Sequence, residues 1–173
     1  MKNIVLIGLM GTGKSAVGRK LAKELKFQFI DTDRLIEEKT GKTISALFAE
    51  EDGEKKFRVL EEEVLAQVIA QEQAVISTGG GVMLSPVNRL RLRQCENVVW
   101  LRARPDKILE RVEKKAGKRP LLTGKDPLSI IKRLLTEREP YYKEAAVSVD
   151  TSDRNITEVV AEVKKGVRFV KLS

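Results

Sequence analysis

Gly8-Leu9-Met10-Gly11-Thr12-Gly13-Lys14-Ser15 has the spacing G-x-x-x-x-G-K-[ST], a pattern whose chemistry is that of a polyphosphate cradle. Glycines let backbone N–H groups turn inward around phosphate oxygens, and a helix starting at Lys14 adds the positive end of its dipole. Lys14 then reaches the β- and γ-phosphates, while the Ser15 hydroxyl can ligate Mg²⁺. A dinucleotide turn across Gly8 to Gly13 is the competing reading, with Asp31 or Asp33 imitating its ribose-binding acid. The Lys14-Ser15 pair favours a nucleoside triphosphate.

Two further clusters could share that ligand. Asp31-Thr32-Asp33 ends an apolar run, and spacing by two would put both carboxylates on one side of an extended segment. Beside ATP, one carboxylate could organise the water shell of Mg²⁺ and the other could receive the proton of an attacking hydroxyl. The plainer role is capping of a helix over residues 34–39. Gly79-Gly80-Gly81 follows another apolar run, Ala74 to Thr78; three glycines suit a backbone that passes close to a ligand, although a flexible turn has the same composition. Ser77 could assist the metal through water. Arg58 and Glu61, three apart in a helical pattern, fall on one helix face and read either as a site pair or as a surface ion pair. Arg138 alone would pass for a solvated helix residue.

The elements that must position these residues alternate. Strand composition occurs at Asn3 to Ile7, Phe27 to Asp31, Ala74 to Thr78, Asn97 to Leu101 and Ala145 to Asp150. Helical spacing lies between them: Val17, Leu21 and Leu25 recur at intervals of four, and Phe57, Leu60, Val64 and Val68 follow a 3-4-4 pattern. Further helices are expected over Asp106 to Lys115, Pro127 to Tyr142 and Asn155 to Lys164. This alternation predicts an α/β domain with a parallel sheet covered on both faces. Residues 114–126 contain two glycines, a proline and many charges, the composition of a loop long enough to serve as a lid.

With 173 residues, 42% hydrophobic and 34% charged, the chain suits one soluble domain over 1–173. Its apolar runs are far shorter than the roughly 20 residues that cross a bilayer, and its start lacks a signal-peptide pattern, so no membrane partner is expected. One cysteine, Cys95, permits no internal disulfide and fits the cytoplasm. No histidine is present, which excludes a histidine-based metal site or triad and makes any general base a carboxylate or another group. Residues 89–125 carry twelve Lys or Arg against four Asp or Glu, equal to the whole net charge of +8. Such a stretch could bind polyphosphate or nucleic acid, or be a solvated surface; with only 5% aromatics, the stacking used in single-strand binding is scarce.

Taken in order, the phosphate loop, Asp31-Thr32-Asp33, Phe57-Arg58-x-x-Glu61, Gly79-Gly80-Gly81, Arg119-Pro120-Leu121-Leu122 and Arg138-x-x-Tyr141 resemble the pattern of shikimate kinases over nearly the whole chain. The resemblance implies a P-loop kinase fold with five parallel strands in the order 2-3-1-4-5, a substrate-binding region about residues 32–61, and a lid. It implies transfer of the γ-phosphate of ATP, with Mg²⁺, to the 3-hydroxyl of shikimate, on the way to chorismate and the aromatic amino acids. No nucleic-acid partner is expected, and a monomer is. Asp33 would hold the reacting hydroxyl and act as base. Arg58 and Arg138 would grip the substrate carboxylate, with Glu61 orienting Arg58 and Gly79, Gly80 and Gly81 lining the substrate. Gly11, Thr12, Gly13, Lys14, Ser15 and Ala16 would hold the nucleotide phosphates. Arg119 would reach them from the lid, and Arg111 and Arg154 would lie nearer the adenine. Ser15 would bind the metal, with Asp31 and Ser77 acting through water. Ala16 stands where many members have threonine, and Asp153 where a basic or neutral residue is often found.

Overall fold

The computed structural model describes residues 2–114 and 126–168. Its sheet has five parallel strands in the order β2-β3-β1-β4-β5, where β1 is Ile4–Ile7, β2 Gln28–Asp31, β3 Ala74–Ser77, β4 Asn97–Arg102 and β5 Val147–Asp150. All four residues of β1 are buried because each face of the strand feeds a different core. Val5 and Ile7 point into one apolar cluster, Ile4 and Leu6 into the other, as the two-residue period of a strand requires.

The first cluster packs beneath α4 (Gly53–Ile69), α6 (Pro105–Glu113) and α7 (Pro127–Tyr142), through Phe57, Leu65, Ile108, Ile131 and Tyr142 among others. The second lies beneath α1 (Lys14–Leu25) and α8 (Ile156–Gly166), through Val17, Leu21, Val159, Val160 and Val163. The remaining helices are α2 (Thr32–Thr40), α3 (Ile44–Phe48) and α5 (Pro86–Arg93). Local chemistry sets the helix starts. Ser85 caps α5 by accepting from Asn88 N–H at 3.1 Å, with Pro86 opening the helix; Asn155 and Glu158 close a reciprocal capping box on α8.

The expected sheet order is observed. One local expectation fails: the segment after β2 is not extended. Asp31 caps α2, its Oδ1 accepting from Arg34 N–H at 3.4 Å, so the helix begins at Thr32 and Asp33 lies in its first turn. Among the described residues no helix is long and apolar enough to cross a membrane.

Candidate active site

The carboxyl ends of β1, β2 and β3 carry the phosphate loop, Asp31 to Asp33, and Ser77 to Gly81, so three neighbouring strands deliver three clusters to one edge of the sheet. Gly8 has φ 137°, and a β-carbon there would overlap the Leu101 carbonyl oxygen; Gly13, the residue before α1, has φ 96°. Both conformations suit glycine and not a side-chain-bearing residue. Lys14 is 8% exposed and donates to the carbonyls of Gly8 at 2.7 Å and Leu9 at 3.0 Å, which holds its ammonium inside the loop. Thr12 turns inward and donates to Leu9 O at 2.8 Å.

Ser15, Asp31 and Ser77, far apart in sequence, come together at the mouth of this loop. Ser15 donates to Asp31 Oδ2 at 2.8 Å, and its hydroxyl lies 3.3 Å from that of Ser77. Asp31 therefore caps a helix with one oxygen and faces Ser15 with the other. A hydroxyl flanked by a carboxylate and a second hydroxyl is a set of hard oxygen donors, the kind that suits Mg²⁺ retaining several of its waters.

A second cavity adjoins the first. Its polar wall is Asp33, Arg58, Glu61, Gly79 to Gly81 and Arg138; its apolar wall is Met10, Ile44, Phe48 and Phe57. Phe48 and Phe57 pack with ring centroids 5.0 Å apart. Arg58 donates to Glu61 Oε2 at 2.7 Å, and its guanidinium lies over Gly81, in space that a side chain there would fill. Glu61 is 1% exposed, and Arg138 is 5% exposed, although both are charged residues on helices. Burial is the largest influence on Glu61 and pushes its carboxyl above the usual value; Asp33 adds to the rise, and Arg58 and Arg138 oppose it. Glu61 Oε1 and Arg138 Nε are buried and have no hydrogen-bond partner among the described residues. Two arginines, two carboxylates and a bare glycine backbone make a site for a small, polar, anionic molecule.

The two cavities share Met10, Asp33 and Gly80 in their walls. Thr78 N–H and Oγ1 both bond to Leu6 O, at 3.2 and 3.0 Å, and Gly79 N–H donates to Thr32 Oγ1 at 3.2 Å. These bonds fix the glycine triplet against β1 and α2.

Other expected residues lie outside the walls of the two cavities. Arg111 turns toward the phosphate loop: its guanidinium donates to Thr151 Oγ1 at 2.9 Å and to Gly11 O at 3.4 Å, and it also bonds Thr151 O. Thr151 in turn donates to Thr12 O at 3.0 Å. Arg154 is exposed on the turn between β5 and α8, outside the walls of both cavities, and Ala16 lies in the first turn of α1 without lining either. Asp153 forms a two-pronged pair with Arg104, one contact at 3.1 Å. Arg119 and residues 115–125 of the expected lid, 114–126, lie outside the described residues.

Sequence reasoning missed Met10, Ile44 and Phe48, which act as apolar walls, and Thr151 and Tyr142, which act through main-chain carbonyls. Phe57 was legible as a core residue of its helix and as part of the motif Phe57-Arg58-x-x-Glu61, but not as a wall of the pocket. The basic stretch resolves into partnered groups where it is described. Arg89 bonds Met83 O at 2.8 Å and stacks on Tyr141, Arg91 bonds Glu62 O at 2.9 Å, and Arg93 pairs with Glu144 at 3.0 Å.

A phosphate loop between the first strand and first helix, on a parallel sheet ordered 2-3-1-4-5, marks a P-loop kinase. The family model for shikimate kinase matches residues 10–168. The shikimate kinase of Caldanaerobacter subterraneus subsp. tengcongensis is 45% identical over 172 residues, covering 99% of this chain and 98% of that one. That of Moorella thermoacetica is 46% identical, covering 96% and 94%. A structure of the Acinetobacter baumannii shikimate kinase in complex with shikimate superposes with a TM-score of 0.88 at 36% identity, covering 95% of this chain and 92% of that one. The chain belongs to the shikimate kinase family.

Proposed function

We propose that this enzyme transfers the γ-phosphoryl group of ATP to the 3-hydroxyl of shikimate, giving ADP and shikimate 3-phosphate on the route to chorismate. The observation that carries this reading is the common wall of the two cavities. A phosphate cradle and an arginine-lined pocket meet at Asp33 and Gly80, so an acceptor hydroxyl held by Asp33 faces the end of a nucleotide held by the loop.

Arg58 and Arg138 hold the shikimate carboxylate, and Glu61 sets the direction of Arg58. Asp33 orients the 3-hydroxyl and takes its proton as the oxygen attacks. Lys14 exchanges its bonds to the Gly8 and Leu9 carbonyls for phosphate oxygens and offsets charge on the transferred group. Residues Gly11 to Ala16 surround the phosphates, Arg111 braces the loop from outside, and Arg119 completes the charge complement. Bound Mg²⁺, which Ser15 would hold with Asp31 and Ser77 through water, would supply positive charge against the phosphates. We assign the enzyme to the cytoplasm, which its single cysteine fits, and to a monomer that itself carries the residues assigned to both substrates.

The test is ADP release with Mg-ATP and, separately, shikimate, quinate, gluconate and nucleoside monophosphates. Turnover selective for shikimate, with a new phosphate monoester resonance in ³¹P NMR, is expected. Equal or greater turnover with another acceptor overturns the assignment.

A further inference from the structure

Tyr142 ends α7 fully buried, and its hydroxyl donates to the carbonyl of Gly80, 62 positions away in the chain. Its ring packs beside Trp100, with centroids 5.9 Å apart. Gly80 is the point where the two halves of the site touch. A β-carbon on it would come 3.3 Å from Met10 N in the phosphate loop and 3.6 Å from Nη1 of Arg138 in the acceptor pocket. Three consecutive glycines have no side chains to hold them and lose more conformational freedom on ordering than other residues. Their order comes from outside: Thr32 anchors Gly79 N–H, Leu84 N–H anchors the Gly81 carbonyl at 2.9 Å, and Tyr142 anchors the carbonyl of Gly80 between them.

Building on the proposed function, we infer that Tyr142 is a positioning residue for both substrates: it holds Gly80 in the place that nucleotide and acceptor each require, so neither has to order it on binding. Tyr142 contacts neither substrate and acts through Gly80; its hydroxyl also faces the Arg138 guanidinium, a contact that by itself would bear on the acceptor alone. Burial holds its proton in place, raising the phenol to about 12, so the donor persists across the working pH range.

This role has a quantitative signature. If the Gly80 segment occupies its competent arrangement for only a fraction of the time, the apparent affinity of each ligand falls by that same fraction. Once either ligand is bound the segment is ordered, and the other binds without loss. A residue that only packed against Arg138 would affect shikimate alone.

Calorimetric titration of shikimate and of Mg-ADP, each alone and each with the other saturating, tests this on wild type, Tyr142→Phe and Trp100→Phe. Tyr142→Phe is expected to weaken both ligands alone by one common factor of about 3 to 10. With the other ligand saturating, both affinities should return to within about twofold of wild type. Trp100→Phe, which alters the same packing without removing the hydroxyl, should lower Tm without this pattern. Amide exchange over residues 78–82 gives a second reading: faster in the free Tyr142→Phe protein and slowed again by either ligand. Unchanged affinities, losses that differ between the two ligands, losses that persist under saturation, or the same pattern in Trp100→Phe would each overturn the inference. A wild-type protein that binds Mg-ADP but not shikimate overturns the proposed function instead.

Discussion

Asp33 and Glu61 converge on Gly79, each with a carboxylate oxygen 2.7 Å from the point a β-carbon on that glycine would occupy. One carboxylate comes from the first turn of α2 and the other from the third turn of α4. Their meeting explains the bare backbone at this position; burial first of all, and then the like charge of Asp33, raises the pKa of Glu61. Arg58 and Arg138 face the same pocket and offset the repulsion.

Gly79→Ala should therefore act on chemistry before it acts on folding. The added methyl group must displace Asp33, whose short side chain has little freedom, or Glu61, whose burial gives it none. A displacement of the order of 1 Å at a reacting group costs about 10²-fold in rate. The expected result is that loss in kcat with near-wild-type circular dichroism; a variant with unaltered kcat would show that Asp33 does not need its observed position.

Glu61 predicts a pH dependence with a definite sign. Its folded-state pKa lies above the usual 4.5, so between those two values the native protein keeps a proton that the unfolded chain gives up. Stability from this group is complete below the unfolded value and declines as pH rises through the folded one. Glu61→Gln lacks the titration. The Tm of the variant minus that of wild type should rise with pH from about 4.5 upward and then level off, whatever fixed offset the lost Arg58 bond introduces. A difference that is flat or falls over this window would refute a raised pKa.

Thr151 makes the nucleotide side testable independently. It lies between Thr12 O and the Arg111 guanidinium, so Thr151→Val keeps the shape and removes the hydroxyl that ties β5 to the phosphate loop. A lost buried hydrogen bond of about 1 kcal/mol corresponds to roughly a fivefold change. KM for ATP should rise by about that factor while shikimate affinity measured without nucleotide stays put. Equal weakening of both would mean the threonine supports the domain at large.

Legibility in the sequence followed burial and locality. The central strands were readable because both faces are buried, leaving continuous apolar runs such as Ile4 to Ile7. The phosphate loop was readable because its function is written in consecutive residues. α5 left no periodic signal, since Val87 and Leu90 are exposed and Leu92 is its buried apolar residue. α3 spans five residues, too few for a period to show. For Asp31 and Asp33 a site role on an extended segment and a helix-capping role were set against each other, whereas Asp31 caps α2 with one oxygen and faces Ser15 with the other. Tyr142 and Thr151 act through carbonyls distant in the chain, and no side-chain pattern reports which carbonyl a hydroxyl will meet.

The two halves of the acceptor site should separate kinetically. Arg58 and Arg138 are assigned to a carboxylate whose charge does not change during transfer, so their contacts are as strong in the ground state as in the transition state. Losing uniform binding of that kind raises KM more than it lowers kcat. Lysine does not replace a planar guanidinium fork, and at Arg138, buried against Gly80 and Tyr142, it would also leave a gap. Asp33 touches the hydroxyl that becomes the nucleophile, and its contribution grows as the proton leaves. Asp33→Asn keeps the volume and removes charge and basicity together. Arg58→Lys and Arg138→Lys should mainly raise KM for shikimate, and Asp33→Asn should mainly lower kcat, by about 10²-fold. Shikimate amide, which lacks the negative charge, supplies the control: it should bind wild type more weakly than shikimate does, and bind the arginine variants with little further loss. Steady-state kinetics of the three variants with both acceptors decides the matter. An amide that binds wild type as tightly as shikimate, or an Asp33→Asn enzyme changed in KM alone, would show that these residues have been given the wrong tasks even in an enzyme that phosphorylates shikimate.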